Sequence, residues 1–217
     1  MASYLILGGG KFGRLALERL AQQDATAIFC MVDRDPESLV FRGGAFGYRA
    51  VQAEAIAFLV QHLKSKEHWD WIIPMVPVHV AYHWLFKDPL AQSGWQPCAV
   101  PEALALLSLG TQSGPEGELY LSRTRHLCPD DCAAPGICPV TGETWDLPLH
   151  QELADLILPG YQIMVIPSQQ LAPGVGGYAP EQLLDLARDL NALTGKVLIA
   201  TACRCQGVIQ GIVRSGR

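Results

Sequence analysis

Apolar runs and helical periodicities alternate along the first hundred residues of the chain. Residues 4–7 predict a short buried strand, and residues 11–22 carry apolar side chains at helical spacing, Phe12 among them. Further β-rich runs lie at residues 26–33, near 46–52, at 69–76 and at 96–101, with helical patterns at 54–64 and 78–86 between them. Helices between β-rich runs are typical of a parallel sheet covered on both faces. The pattern therefore predicts a Rossmann-like, doubly wound α/β fold.

The pattern breaks at residue 108. Residues 108–148 are rich in Gly, Pro, Ser, Thr and Cys and show neither period, which predicts a long irregular segment that something must hold in place. Order resumes with a strand at 161–168, a glycine-rich turn at 170–180, a helix at 181–193 that stops near Gly195, and a last strand at 196–203. We therefore expect a dinucleotide-binding domain over 1–107, then a cysteine-rich segment and a second βαβ unit over 108–217.

The turn after the first predicted strand has the spacing G-x-G-x-x-G, formed by Gly8, Gly10 and Gly13. The first glycine permits a tight turn, the second lets a pyrophosphate approach the backbone, and the third lets helix and strand pack closely. Amides at the helix N-terminus would face the anion. Asp33 ends the next strand, where a carboxylate can accept hydrogen bonds from an adenosine ribose. This arrangement predicts a dinucleotide site.

The residues "LILGGGKFGRLALERL" followed by "MVDRD" resemble the Rossmann-type NAD-binding domain of many dehydrogenases and of the TrkA-N domains of potassium-transport regulators. The resemblance implies dinucleotide contacts at the three glycines and Asp33, with Lys11, Phe12 and Arg34 beside them. The acid favours NAD, whereas Arg34 leaves NADP open. The "GGG" opening is also similar to the dehydrogenase domain of siroheme synthase, although that likeness stops after the first helix. A glycine turn kept for packing alone is the structural alternative.

Two histidines follow the fourth predicted strand. In open α/β sheets the ligand lies beyond the carboxyl ends of the strands, so His79 would stand near the nicotinamide end of a cofactor. It is the candidate for a catalytic, proton-transferring residue. His83 would share its helical face. The alternative is that both are half-buried helix residues, hydrogen-bonded to the backbone or to a neighbouring subunit.

Three cysteines, Cys128, Cys132 and Cys138, lie within eleven residues of the irregular segment, and Cys203 and Cys205 end the last predicted strand. A loop of this kind can wrap a metal or cluster, with a fourth ligand from the strand end. The C-x3-C-x5-C spacing matches neither ordinary zinc ribbons nor bacterial ferredoxins. The all-sulfur set and the prolines after two of the cysteines favour an iron-sulfur cluster, structural zinc is a close second, and reduced cysteines without metal are the third possibility.

A second group of glycines, Gly174, Gly176 and Gly177, precedes a predicted helix. Exposed amides in such a turn could bind a carboxylate or phosphate. The segment lacks the Gly-Lys-Ser/Thr of a P-loop, so a plain tight connection is the alternative.

Charge and composition exclude some classes of binding partner. The net charge of −5 and the lack of a Lys/Arg run argue against nucleic-acid binding, and the apolar runs are too short or too interrupted for membrane insertion. Charged residues make up 17% of the chain, below the usual value of about 25%, which predicts an interface and a homo-oligomer. The N-terminus lacks the features of a signal peptide, so we expect a cytoplasmic protein.

Two functions fit these features. The first is an NAD-binding redox protein with a cysteine-ligated centre beside the nicotinamide. In this reading the protein could act as an oxidoreductase. The second is a non-catalytic module of the TrkA-N kind, in which NAD/NADH occupancy changes assembly and zinc is structural. The sequence shows no paired acid and base that would decide for an enzyme.

Overall fold

The computed structural model describes residues 1–41, 46–64, 68–107 and 110–216. Its first sheet is parallel, with strand order β3-β2-β1-β4. The elements of this part run β1 (Ser3–Leu7), α1 (Lys11–Gln23), β2 (Ile28–Asp33), β3 (Arg49–Gln52), α2 (Ala55–His62), β4 (Trp71–Pro74) and α3 (Val80–Lys87), with a 3-10 turn at Pro36–Leu39. The predicted α/β alternation is thus confirmed for the first four strands.

The second sheet is mixed. Its elements are β5 (Gln96–Cys98), β6 (Gly110–Ser113), β7 (Leu119–Ser122), α4 (Leu149–Asp155), β8 (Tyr161–Pro167), β9 (Gln169–Ala172), β10 (Val175–Gly177), α5 (Pro180–Ala192), β11 (Gly195–Ala202) and β12 (Gln206–Arg214), with a 3-10 helix at Glu102–Leu107. The strand order is β6-β7-β12-β11-β8, and β5 also pairs with β12. Strands β8 and β11 are parallel and α5 connects them, which confirms the predicted second βαβ unit.

Three predictions about this second part are wrong in detail. The run at 96–101 does not extend the first sheet, because β5 pairs antiparallel with β12. The strand at 196–203 is not the last, since β12 follows it and pairs antiparallel along its whole length. The glycine-rich turn at 170–180 contains the antiparallel hairpin β9–β10. Antiparallel partners are set by tertiary pairing, which the alternation of local patterns does not encode.

The irregular segment is shorter than predicted. Positions 108 and 109 lie outside the described residues, and the antiparallel pair β6–β7 follows them. Between Arg123 and Pro148 the described chain contains turns and the isolated bridge Ile137–Thr144. The unpatterned region is therefore confined to the stretch that carries three of the cysteines.

The two sheets share one hydrophobic core. The largest cluster of buried side chains joins residues of β1, β4 and α3 to residues of α5, β11 and β12, for example Ile72, Trp84, Leu183, Ile199 and Ile212. Main-chain hydrogen bonds between Ile72 and Tyr178, 2.9 and 3.1 Å long, also connect β4 to the end of the β9–β10 hairpin. The glycine turn after β1 and the strand ends of the second sheet are consequently held in fixed relation. Among the described residues, no helix is both long and apolar enough to cross a membrane.

Candidate functional site

The three motif glycines have different structural reasons to be glycine. Gly8 has φ +106°, and a Cβ there would lie 2.5 Å from the carbonyl oxygen of Met75. A Cβ on Gly13 would lie 1.9 Å from the carbonyl oxygen of Gly8, so this residue sets the close packing of α1 on β1. Around Gly10, by contrast, no described atom lies within 4 Å of the Cβ position. Two glycines are thus explained by packing and the third is not.

The N-terminus of α1 is open to a ligand. Gly10 is its N-cap and supplies no side-chain hydrogen bond to the first-turn amides. Arg14 stabilises the turn, because its Nε donates a hydrogen bond to the carbonyl oxygen of Gly9 at 3.1 Å. Amides in the first turn of a helix that lack a side-chain cap are groups to which an anion can bind.

Asp33 lies directly behind this turn. Its Oδ2 accepts the N–H of Gly9 at 2.7 Å and its Oδ1 accepts the N–H of Asp35 at 2.9 Å. A carboxylate has further lone pairs, so it can still accept ribose hydroxyls. Gly8, Gly10, Asp33 and Arg34 line one cavity of about 350 Å³, which we name the glycine-loop cavity. Residues 76–78, after β4, line its other side.

All five predicted metal-ligating cysteines line a second cavity, of about 460 Å³, which we name the cysteine cavity. The irregular segment brings Cys128, Cys132 and Cys138 to it, and the β11–β12 turn brings Cys203 and Cys205. Lys11 and Phe12, from the first turn of α1, line the same cavity. Phe12 is half exposed and lies away from the buried face of α1, contrary to the predicted apolar stripe. Tertiary folding therefore joins two motifs that lie more than a hundred residues apart.

The cysteine segment is docked on α1 and on the β9–β10 hairpin. Lys11 Nζ lies 2.5 Å from Asp130 Oδ2. Arg19 donates from Nη1 to the carbonyl oxygens of Asp130 (2.8 Å) and Pro173 (2.7 Å). The N–H of Gly174 donates to the carbonyl oxygen of Cys132 at 2.7 Å. These contacts order a segment that lacks regular secondary structure.

Hydrogen-bond donors surround several of the sulfurs. The N–H of Ala134, a residue with φ 45°, donates to Cys132 Sγ at 3.4 Å, and Gln206 Nε2 donates to Cys128 Sγ at 3.4 Å. The Thr141 hydroxyl, together with the N–H groups of Thr141 and Val140, holds the pKa of Cys138 below its usual value. Donors of this kind stabilise and orient thiolates.

The pKa values of Cys128 and Cys205 lie above the usual value of a thiol. Burial raises the pKa of Cys128, and the neighbouring Cys132, Cys138 and Cys203 add to the effect, although the Thr124 hydroxyl partly offsets it. Burial, with Cys203, Cys128 and Cys132 nearby, raises the pKa of Cys205 to about 11. A bound cation would relieve this crowding of potential negative charge. As placed in the described residues, however, no three side chains among His, Cys, Asp and Glu are arranged to hold a metal ion.

His79 lies between the two sheets. Its side chain is 2% exposed, with Nδ1 3.2 Å from Gln210 Oε1 and Nε2 3.0 Å from Thr201 Oγ1. Gln210 Nε2 donates to the carbonyl oxygen of Glu116, which leaves Oε1 as the acceptor; Nδ1 then carries the proton and Nε2 accepts the Thr201 hydroxyl. Burial lowers the pKa of His79 to about 3. The imidazole is therefore neutral at physiological pH, which argues against a proton-transferring role. It differs from the predicted alternative as well, because His79 is fully buried and bonds to side chains of the second sheet.

The second glycine group does not lie at a helix N-terminus. Gly174 occupies the hairpin turn at φ +67°, and a Cβ there would lie 1.7 Å from the carbonyl oxygen of Asp130. A Cβ on Gly177 would meet Ile73 and Leu171 side chains at 2.6 and 2.8 Å. Close packing of the cysteine segment and of β4 accounts for these two glycines. Anion binding at Gly174, Gly176 and Gly177 stays a prediction, with the Gly174 amide already bonded to Cys132.

A third cavity, of about 280 Å³, shares lining residues with each of the first two and is named the central cavity. It shares residues 76–78 with the glycine-loop cavity and Ser168, Cys203 and Gln206 with the cysteine cavity. Its lining also includes His79, Tyr178 and Thr201. The three cavities follow the carboxyl ends of β1, β2, β4, β8 and β11, where α/β sheets bind ligands.

Several residues of this region were not predicted. His126 Nε2 lies 3.8 Å from Cys138 Sγ, and Thr124 Oγ1 lies 3.9 Å from Cys128 Sγ. The H-x-C spacing of His126 and Cys128 is a signal that could have been used. Tyr178 and Gln206 have no such local signal, since only the pairing of β4 with the hairpin and of β11 with β12 brings them to the cavities.

Comparison with known proteins places the chain in a family. A family model, AF_1314_C, described as the C-terminal domain of an uncharacterized protein, matches residues 78–215, more than half of the chain. The chain belongs to this family. An uncharacterized protein of Archaeoglobus fulgidus is 30% identical over 230 positions, which cover 97% of this chain and 99% of the relative. No solved structure matches the chain.

The extent of the two matches differs. The family model begins after β4 and includes the cysteine segment and the whole second sheet, whereas the archaeal relative also aligns with the glycine-loop part. The archaeal relative is thus similar to this chain over both the glycine-loop part and the second sheet.

Proposed function

We propose that the protein binds a nicotinamide dinucleotide at the glycine-loop cavity and a cysteine-ligated metal centre at the cysteine cavity, and acts as a redox protein. The observation that carries the proposal is that Lys11 and Phe12, which follow Gly10 in α1, line the same cavity as all five cysteines. An iron-sulfur cluster is favoured over zinc because the candidate ligands are thiols and a hydride carrier would lie beside them.

The dinucleotide half of the proposal rests on the open side of Gly10. The space at its Cβ position, the free first-turn amides of α1 and the adjacent Asp33 carboxylate match the needs of a pyrophosphate and a ribose. The acid would repel a 2′-phosphate, so NAD is the favoured dinucleotide and NADP the less favoured one.

The first test compares Gly10→Val with a matched variant, Gly47→Val. No described atom lies within 4 Å of either Cβ position, and Gly47 is not part of the glycine-loop cavity. We expect the Gly10 variant to keep its fold, by circular dichroism, and to lose NAD binding in calorimetric titration, because the valine fills the space that the pyrophosphate needs. The Gly47 variant should bind like the wild type. Undiminished NAD affinity in the Gly10 variant refutes the assignment.

The proposed metal centre rests on the number of cysteines at the cavity and on the groups that surround their sulfur atoms. Cys128, Cys132, Cys138 and Cys203 would be the thiolate ligands, with Cys205 as the fifth candidate; the chemistry that an iron-sulfur centre supplies is one-electron transfer. The N–H groups at Cys132 and Cys138 would orient their sulfurs. Deprotonation of the crowded thiols would accompany metal binding.

The second test measures iron, zinc and acid-labile sulfide in protein purified without oxygen. Iron with sulfide supports the redox proposal, and stoichiometric zinc supports a structural centre. Cys128→Ser should lower the bound metal at least several-fold, while Cys98→Ser, at a cysteine in β5 outside the cavity, should not. Wild-type protein with neither metal would contradict the metal centre.

A non-catalytic NAD/NADH-sensing module with structural zinc is the second candidate. The contact that favours it is the ion pair between Lys11 and Asp130, since a pyrophosphate at the start of α1 would compete with Asp130 for Lys11 and shift the cysteine segment. Substrate turnover with NAD would decide for an enzyme; a ligand-dependent change of assembly without turnover would decide for the sensor.

A further inference from the structure

A histidine and a cysteine from separate turns of the cysteine segment lie side by side. His126 Nε2 is 3.8 Å from Cys138 Sγ. The Thr124 hydroxyl donates to the carbonyl oxygen of His126 at 3.3 Å. The N–H of Cys138 donates to the carbonyl oxygen of Glu143 at 2.8 Å, so both residues have a main-chain anchor. Cys138 lines the cysteine cavity and His126 lines a neighbouring cavity of about 610 Å³, so an ion in solution can reach the pair.

The separation of these two atoms matches one edge of a metal coordination tetrahedron. A tetrahedral ion about 2.0–2.1 Å from a nitrogen ligand and about 2.3 Å from a sulfur ligand sets the two ligand atoms about 3.6 Å apart. The observed 3.8 Å is close to this value. The N–H···S contacts of the same cavity are shorter, since the Ala134 nitrogen and Gln206 Nε2 each lie 3.4 Å from a cysteine sulfur. His126 and Cys138 are therefore spaced as two ligands of one ion.

Further thiols lie close to this pair. The spacing H-x-C-x3-C-x5-C sets His126, Cys128, Cys132 and Cys138 on one short segment. Cys132 and Cys138 are near enough to Cys128 to raise its pKa by charge repulsion, after the larger effect of burial. As placed in the described residues, no three of these side chains hold an ion together. Protonated thiols carry no charge that would draw them to one point, so the other ligands have to turn towards the His126–Cys138 edge as they lose their protons to a metal.

We infer that His126, through Nε2, and Cys138 are ligands of one metal ion at the cysteine cavity, with the remaining ligands supplied by the other cysteines. The inference deepens the metal part of the proposed function and rests on it. A zinc ion and an iron of a two-iron cluster both accept such a nitrogen–sulfur edge. Because imidazole is uncharged, the ligand set carries one negative charge fewer than an all-thiolate set, and in an iron-sulfur centre this raises the reduction potential.

The test titrates Co²⁺ into reduced, metal-free protein and follows the visible spectrum, in which the thiolate-to-metal absorption and the d–d bands report the ligands. His126→Gln places an amide near the position of Nε2, so it keeps a hydrogen-bonding group beside Cys138 and removes the ligand. Co²⁺ should bind to this variant at least about tenfold more weakly than to the wild type. His126→Cys should restore the affinity, with stronger thiolate-to-metal absorption and d–d bands at longer wavelength, because sulfur replaces nitrogen.

His68→Gln is the matched control. The His68 side chain is exposed, and the contact to Ser3 uses its main-chain carbonyl oxygen, which the substitution keeps. Its Co²⁺ affinity and spectrum should equal those of the wild type, and circular dichroism should show the same fold in all variants. Wild-type affinity in His126→Gln overturns the inference, since the histidine is then only a neighbour of Cys138. A wild-type spectrum in His126→Cys overturns it as well.

Failure of the inference can be told apart from failure of the proposed function. If Co²⁺ binding is lost in Cys128→Ser and unchanged in His126→Gln, the metal centre stands and the histidine ligand is refuted. If the wild type binds no Co²⁺, the metal centre and the histidine ligand are both refuted. If Co²⁺ binding depends on His126 and the protein binds no NAD, the histidine ligand is supported and the dinucleotide part of the proposed function is refuted.

Discussion

At the scale of single residues, identical amino acids in one motif have different tasks. A Cβ added to Gly8 or Gly13 would collide with backbone atoms, whereas a Cβ added to Gly10 would point into open space. Substitutions at Gly13 should therefore act on folding, and substitutions at Gly10 on binding. The sequence pattern treats the three positions as equal members of a motif, and only the packing of α1 on β1 separates them.

Gly13→Ala is expected to lower the free energy of unfolding by about 1–3 kcal/mol, because the new Cβ would lie 1.9 Å from the carbonyl oxygen of Gly8 and force α1 away from β1. Gly10→Ala, at the extended N-cap position, should cost less than about 1 kcal/mol. Urea denaturation of the two variants measures the difference. Equal losses would mean that the close approach at Gly13 relaxes without cost.

At the scale of secondary-structure elements, the β9–β10 hairpin supports the cysteine segment. In the hairpin turn, the N–H of Gly174 donates to the carbonyl oxygen of Cys132. The same glycine packs closely against the carbonyl oxygen of Asp130. Gln170, from β9, donates to the carbonyl oxygen of Cys132 at 3.2 Å. A segment without helix or strand is thus ordered by main-chain contacts to an element that follows it in the chain.

Gly174→Ala should loosen the cysteine segment. The alanine would be strained at φ +67°, and its Cβ would collide with Asp130, so we expect faster amide exchange and proteolysis over residues 128–136 and less bound metal. Gly117→Ala is the matched control, because φ there is +82° and no described atom lies within 4 Å of the Cβ position. It carries the same backbone cost, about 1–2 kcal/mol, without the collision. If both variants loosen the segment alike, the docking contact is unimportant.

At the scale of the whole molecule, His79 connects the two sheets. It follows β4, the edge strand of the first sheet, and bonds to Thr201 of β11 and Gln210 of β12 in the second. The loop at residues 76–78, which two cavities share, is therefore fixed at its end by a buried polar contact. Such a contact favours one relative placement of the sheets because a misplaced imidazole would be buried without partners.

This buried imidazole predicts a pH dependence of stability. The pKa of His79 is about 3 in the folded protein against the ordinary 6.5, so between these values only the unfolded chain binds the proton. Its stabilising contribution is present above pH 6.5 and is lost as the pH falls towards 3, with a slope of up to about 1.4 kcal/mol per pH unit. His79→Gln should be less stable at pH 7 but show a flatter curve between pH 6.5 and 5. Parallel curves for the two proteins, from urea denaturation, would contradict the neutral buried state.

Elements with a local signal are predictable from the amino-acid sequence alone. The buried runs of β1, β2 and β4, the helices α1 and α5 and the glycine turn at residues 8–13 were predictable, because apolar periodicity and glycine spacing encode burial and backbone conformation directly. The pattern-based prediction ends with β11 and lacks β12, although residues 206–214 are largely apolar. The hairpin β9–β10 was read as a turn because its glycines weaken the strand signal.

Which of these elements contact one another depends on the packing of the whole chain. Pairing of β5 and of β11 with β12 builds the second sheet, and pairing of β4 with Tyr178 joins the first sheet to the hairpin beside it. The strand ends consequently lie along neighbouring cavities. Contacts between distant segments place Lys11 and the five cysteines at one cavity. Such contacts also bury the Tyr178 hydroxyl group without a hydrogen-bond partner among the described residues and give His79 its two hydrogen bonds. Local patterns fix burial and backbone conformation, whereas the partner of a buried group is chosen by packing across the whole chain.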